Sequence, residues 1–255
     1  MWGLDFSSVD WNEIGVATLD TLKMLGASAV FTFILGLPIG VVLFMASRST
    51  TGWVRAVYAV ISFIVNILRS VPFIILIVAL IPVTKAIVGV TFGVLGTIPP
   101  LVIGAAPFFA RLVETSLREV DRGVIEAAHS MGASTWQVIT RVLLPEARPG
   151  LLAGITITVV TLVSYTAMSG MVGGGGLGDL AIRYGYYRYE TTVMIISVIF
   201  MIVLVQLLQM AGDRAGASLY QKVRRTTCLA HSHDNVFGSQ SCIRITGFDL
   251  ERQGR

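Results

Sequence analysis

Residues 24 to 46 read MLGASAVFTFILGLPIGVVLFMA, an apolar run without one ionisable side chain. A bilayer core about 30 Å thick is crossed by about 20 apolar residues in a helix, so this stretch reads as a membrane span. Four more runs of the same kind follow, at about Tyr58 to Ile81, Gly93 to Phe109, Leu151 to Met171 and Thr192 to Ala211. The second is long and interrupted at Pro72. The expected fold is therefore an all-α membrane protein with five transmembrane helices. The whole chain agrees: of 255 residues, 54% are apolar and 13% charged, and mean hydropathy is +0.77, outside the range of soluble domains.

Lysine and arginine near span ends are retained in the cytoplasm, so their placement sets orientation. Arg48 and Arg55 follow the first span, Arg111, Arg118, Arg122, Arg141 and Arg148 crowd the segment after the third, and Arg214, Lys222, Arg224 and Arg225 follow the fifth. The opposite side carries Asp5, Asp10 and Glu13, then Lys85, and later Arg183 and Arg188 beside Asp179 and Glu190. This pattern predicts the N-terminus outside and the C-terminus inside. The acidic start does not read as a cleavable signal peptide. The net charge of +4 fits loops facing anionic membrane lipid, and nucleic acid is not an expected partner.

Gly36, Pro38 and Gly40 punctuate the first span, Pro72 the second, and Pro99, Pro100 and Pro107 the third. Small residues let membrane helices approach closely, and proline kinks survive where neighbours satisfy the freed carbonyls. Packing explains them, and none is assigned a binding role.

The segment at 112–149 holds the most specific pattern. Glu126-Ala127-Ala128 is followed by three residues, Gly132, nine residues, and then Val142-Leu143-Leu144-Pro145. Glu126 to Met131 favours a helix, Gly132 permits a sharp turn, and Ser134 is placed to cap a second helix through Trp136 to Val142. Pro145 and Pro149 then redirect the chain toward the fourth span. A helix, turn and helix on the cytoplasmic side forms a rigid protrusion suited to docking.

That spacing resembles the EAA loop of the ABC-importer permeases, in which EAA, three residues, glycine and nine residues precede Ile-x-Leu-Pro. Val142 stands in the isoleucine position. The resemblance extends from about Val16 to Arg225. Asn66-Ile67-Leu68-Arg69-Ser70-Val71-Pro72-Phe73, Gly104-Ala105-Ala106-Pro107-Phe108 with Arg111, Gly173 to Gly178 and Tyr184-Gly185-Tyr186 are similar to the methionine-importer branch. The resemblance implies an inner-membrane permease for L-methionine, and for D-methionine as well. It further implies two copies of a cytoplasmic ATPase that binds ATP and magnesium, a substrate-binding lipoprotein, and a second copy of the permease. Glu126, Ala127, Ala128, Gly132, Val142, Leu144 and Pro145 would couple to the ATPase. The chain itself carries no phosphate-binding loop and is expected to bind no cofactor: Gly173 to Gly176 lacks the lysine and hydroxyl residue such a loop needs. Flexibility beneath a docking protein and simple turn geometry are equal readings of that run.

Arg69 is the unusual residue within a span, since a lipid-facing charge at mid-bilayer costs roughly 2.5–3.5 kcal/mol on insertion scales. Either Arg69 and Asn66 lie at the interface, with Pro72 marking a helix start, or both lie on the translocation path. Ser164 to Gly170 ends the fourth span with small and polar residues; Tyr165, Met168 and Ser169 are candidates for the path, with Met168 an outer gate or simply packed.

Domain organisation follows as an external segment at 1–23, a permease domain at 24–225, and a polar cytoplasmic tail at 226–255 whose composition predicts disorder. Cys228, His231, His233 and Cys242 lie in that tail at a spacing that fits no zinc pattern, and no metal site is expected. Another small solute of the same transporter class is an alternative cargo. An ion-coupled secondary transporter is a weaker alternative, because Glu114, Glu119, Asp121, Glu126, Glu146, Asp179, Glu190 and Asp213 all read as lying at span ends or in loops, leaving no proton relay. No paired nucleophile and base or spaced metal ligands within a span suggest an enzyme.

Overall fold

The structure is a computed structural model that describes residues 10–49 and 51–234, with side chains described up to residue 216. Every regular element among the described residues is helical. The chain forms two compact units, Met1–Gly212 and Asp213–Arg255. Among the described residues, five helices are long and apolar enough to cross a membrane: Trp11–Arg48, Gly52–Ser70, Gly93–Arg118, Arg148–Val172 and Thr191–Gly216.

Helix α1 (Trp11–Arg48) starts well before the boundary expected at residue 24. Asp10 caps it, its carboxylate accepting from the backbone N–H of Asn12 at 2.9 Å and of Glu13 at 3.4 Å. Polar residues interrupt hydropathy between Thr18 and Lys23 without interrupting the helix: Ile14, Ala17, Thr21, Met24 and Leu25 keep one face buried. Thr18 and Thr21 donate to the carbonyls of Ile14 and Ala17, so neither hydroxyl opposes burial.

The second apolar run divides at Pro72. Helix α2 (Gly52–Ser70) ends there, and α3 (Phe73–Ala79) begins with the N–H groups of Ile75 and Leu76 donating to the Pro72 carbonyl at 3.0 Å. Helix α4 (Ile81–Val88) continues to a left-handed Gly89. Of these three helices α2 is the one long and apolar enough to cross a membrane, starting before Tyr58 and ending before Ile81. A proline without an N–H fits a helix start and not a helix interior.

Helix α5 (Gly93–Arg118) runs nine residues past the expected end at Phe109, because helicity continues through a stretch where charges lower hydropathy. It crosses α1 at Gly36 and Gly40, which leave no room for a side chain: a Cβ on Gly36 would stand 2.8 Å from Phe109 Cδ1. After α5 come α6 (Arg122–Ser130), α7 (Thr135–Gln137) and α8 (Leu144–Glu146), then α9 (Arg148–Ser169), α10 (Gly176–Leu180) and α11 (Thr191–Asp234).

Three apolar clusters follow one another along the first unit. Ile14, Ala17, Leu177, Leu180, Val193 and Ile196 fill one end. Met24, Leu25, Phe73, Leu101, Ala105 and Leu162 fill the middle. Phe44, Phe109, Val113, Leu117, Ile125 and Leu143 fill the other, joining α1 and α5 to the α6–α8 segment. Helix α11 carries no break at Arg225 and continues to Asp234. Residues 235–255, with the disorder expected of them, lie outside the described residues, as do the side chains of Cys228, His231, His233 and Cys242.

Candidate functional site: a capped loop beside a polar ladder

The α6–α8 segment has the expected helix, turn and helix. Asp121 caps α6 by accepting from the Gly123 N–H at 2.6 Å. Helix α6 stops at Gly132, whose φ of +78° is the left-handed conformation in which a Cβ is strained. Ser134 then starts α7 in a reciprocal cap: its hydroxyl accepts from the Gln137 N–H, and the Gln137 side chain accepts from the Ser134 N–H at 2.9 Å. The second helix differs from expectation in its interior, since Val138–Leu143 is a π-helical turn, which pushes Val138, Ile139 and Leu143 together into the core.

The expected coupling residues divide by role. Ala128 is buried in the loop core, with Val142 and Leu144 partly buried against it and Pro145 half-buried at the start of α8. Glu126 and Ala127 face outward. Beside them Val124, Met131 and Trp136 are exposed, Met131 by 83% and Trp136 by 71%. The loop is therefore anchored through one face and presents an apolar and acidic surface on the other.

Below the loop lies a feature that hydropathy hid. Glu114 is buried, 1% exposed, on α5. One of its oxygens accepts from Arg111 Nη1 at 2.5 Å, and the other from Arg118 Nη2 at 2.6 Å and Tyr58 Oη at 3.4 Å. Arg111 Nη2 continues to Ser62 Oγ at 3.0 Å and Asn66 Oδ1 at 2.9 Å, while Arg118 donates to Tyr58 Oη at 3.3 Å. Glu114 thus lies within the last turns of α5, near the end of the candidate span and inside the helix that was expected to stop at Phe109. Both carboxylate oxygens are held by arginine. The signal was present as spacing: 111, 114 and 118 share one helix face, as do 58, 62 and 66.

Asn66 is therefore a hydrogen-bond partner of α5. Arg69, exposed in the last turn of α2, lies with its guanidinium carbon 5.8 Å from the Phe108 ring centroid. Both residues link α2 to α5, Asn66 through Arg111 and Arg69 through Phe108.

The path candidates separate. Met168 is 45% exposed, whereas Ser169 is fully buried and donates to the Thr166 carbonyl at 2.7 Å. Tyr165 is half-buried and stacked on Phe73, ring centroids 4.3 Å apart. Ser169 was expected beside Met168 on a path; one residue of helical rotation turns it inward, where its carbonyl accepts from the Gly174 N–H. The glycine run packs tightly as turns, with positive φ at Gly173, Gly175 and Gly176, and the Leu177 N–H donating to Thr21 Oγ1 at 2.9 Å. Nearby, Glu13 accepts from Tyr184 Oη at 2.6 Å and from Arg183 at 3.0 Å. That bond, followed by desolvation, holds the Tyr184 phenol above its ordinary value.

Comparison with known proteins agrees with this architecture. The family model described as binding-protein-dependent transport system inner membrane component matches residues 36–225. The D-methionine transport system permease protein MetI of Escherichia coli K12 is 48% identical over 143 residues, 56% of this chain and 66% of that protein. The methionine import system permease protein MetP of Bacillus subtilis is 46% identical over 157 residues, 62% of this chain and 71% of that one. An inward-facing structure of the MetNI methionine ABC transporter superposes with a TM-score of 0.78 at 47% identity, covering 81% of this chain and 96% of the other. The chain belongs to the family of binding-protein-dependent transport system inner membrane components.

Proposed function

We propose that the chain is the permease of an ATP-driven importer that carries methionine, in both L and D forms, across the bacterial inner membrane. As a member of its family it is a transport subunit of the inner membrane and not an enzyme. The observation that carries the proposal is the α6–α8 loop: a capped, turned and core-anchored protrusion whose outer face exposes Glu126, Val124, Met131 and Trp136. Such a surface suits a separate ATPase, which would hold ATP and magnesium. The methionine assignment is supported by the relatives' names and by the fold match across 81% of the chain.

In this reading the N-terminus faces outside and the loop and α11 C-terminus face the cytoplasm, as the arginine distribution favours. Two permease copies surround a central path, each engaging one ATPase, and a substrate-binding lipoprotein delivers cargo from outside. Met168 lies on the path as an outer gate. Nucleotide-driven motion of the ATPases shifts the bundle between inward-open and outward-open populations through the loop.

The test is uptake of labelled methionine in cells lacking this subunit and in the same cells complemented with it, with and without ATP depletion. ATP-dependent uptake restored only by complementation is the expected result. A protein that reaches the membrane with an ATPase bound yet restores no methionine uptake overturns the cargo.

A further inference from the structure

We propose that Glu114 is a positioning residue that fastens α2 to α5, so that motion of the docking loop moves both helices as one body. The inference rests on the importer reading above.

The loop and α5 are already one unit. Val113 and Leu117 of α5 share a core with Val120, Ile125 and Ala128, and only Glu119 to Asp121 separate α5 from α6. Helix α2 is attached differently. Among its residues Val65 alone is buried, in a small cluster with Leu43 and Ala110. Beside that packing and the Arg69–Phe108 contact, its tie to α5 is the polar face of Tyr58, Ser62 and Asn66, which meets Arg111, Glu114 and Arg118. These polar α2–α5 contacts can hand displacement from α5 to α2.

Glu114 organises the set. It holds Nη1 of Arg111, and that bond aims Nη2 at Ser62 and Asn66 across the helix contact. It holds Arg118 on its other oxygen, within reach of Tyr58. Glutamine presents one acceptor oxygen and no charge, so Glu114→Gln leaves two arginines without their counter-ion and frees Arg111 from its orientation. A buried carboxylate is costly unless paired, and this one, 1% exposed, is paired on both oxygens on the helix that leads into the α6–α8 loop.

The experiment reconstitutes the permease, its ATPase and its binding protein in proteoliposomes and measures methionine moved per ATP hydrolysed. That ratio does not depend on how much protein folds. Glu114→Gln should lower it about tenfold while hydrolysis persists, and Glu114→Asp, which keeps the charge, should recover most of it. The triple variant Tyr58→Phe/Ser62→Ala/Asn66→Ala leaves the Arg–Glu–Arg triad paired and removes its hydrogen bonds to α2; its ratio should fall about threefold. Wild-type ratios in the triple variant overturn the inference even where Glu114→Gln does not reach the membrane. A wild-type complex that hydrolyses ATP and moves no methionine overturns the importer reading instead, which separates the two failures.

Discussion

A Cβ placed on Gly40 of α1 would stand 2.6 Å from the Cβ of Val113 on α5, closer than two carbon atoms of separate side chains can lie. The same Cβ would stand 2.6 Å from the Ala110 carbonyl oxygen, so backbone and not a flexible side-chain tip sets the limit. Gly36 repeats the situation one turn earlier against Phe109 and Ala106. Overpacking of this kind costs about 1–3 kcal/mol. Gly40→Val should lower the thermal midpoint of the detergent-solubilised protein, whereas Gly26→Ala, with nothing within 4 Å, should leave it unchanged or raise it slightly. Equal midpoints for Gly40→Val and wild type would show that the helices do not cross there.

Gly132 makes the opposite kind of demand. Nothing lies within 4 Å of its Cβ position, so only its φ of +78° resists substitution. A left-handed residue with a side chain costs roughly 1–2 kcal/mol, more when β-branched, and asparagine tolerates the conformation best. Gly132→Val should weaken ATPase association and substrate-stimulated hydrolysis while membrane insertion stays intact, and Gly132→Asn should keep most of both. Co-purification of the ATPase with each variant reads this directly. Full association in Gly132→Val would remove the turn from the docking role.

How legible the chain was depended on which force shaped each part. The five spans followed from hydropathy, since burial in a bilayer demands apolar side chains on every face. The loop followed from local backbone chemistry: a glycine where φ is positive, and a serine three residues before the glutamine that caps it in return. Hydropathy also ended the third span at Phe109, because Arg111, Glu114 and Arg118 look like a loop when summed. Glu114 pairs with both arginines on its own helix, and the hydrogen bonds that complete the set come from Tyr58, Ser62 and Asn66, some fifty residues away in sequence. Helical spacing within each group was readable; the pairing between groups was not. The start of α1 was missed for a related reason, since Thr18 and Thr21 satisfy themselves on their own helix.

Glu13 ties α1 to the turn after α10 through Tyr184 and Arg183. The phenol is held above its ordinary value, chiefly by its bond to the Glu13 carboxylate, while Arg183 and Arg188 pull the other way. The folded chain therefore binds this proton more tightly than the unfolded chain. The contribution is whole below the unfolded value of about 10 and is lost as pH rises through the raised one. Tyr184→Phe should cost about 0.5–1.5 kcal/mol at neutral pH. It should also flatten the fall in thermal midpoint above pH 10. Parallel curves for the variant and wild type across that range would exclude the tie.

Met168 and Ser169 are adjacent in sequence and opposite in exposure, 45% against 0%. If Met168 borders the path near the outer surface, a cysteine there meets water, and a cysteine at 169 does not. The native Cys228 and Cys242 lie beyond the fifth span and are first replaced by serine. On that background Met168→Cys should react with a membrane-impermeant thiol reagent added from outside, at a rate that changes when the ATPase is trapped with ATP. Ser169→Cys should stay unreactive in both states, because its position packs against Thr166 and Gly174. Nucleotide dependence is the informative readout, since a lipid-facing or merely packed Met168 would label at one constant slow rate. Labelling of position 169 and protection of 168 would reverse the assignment and place the opposite face of α9 on the path.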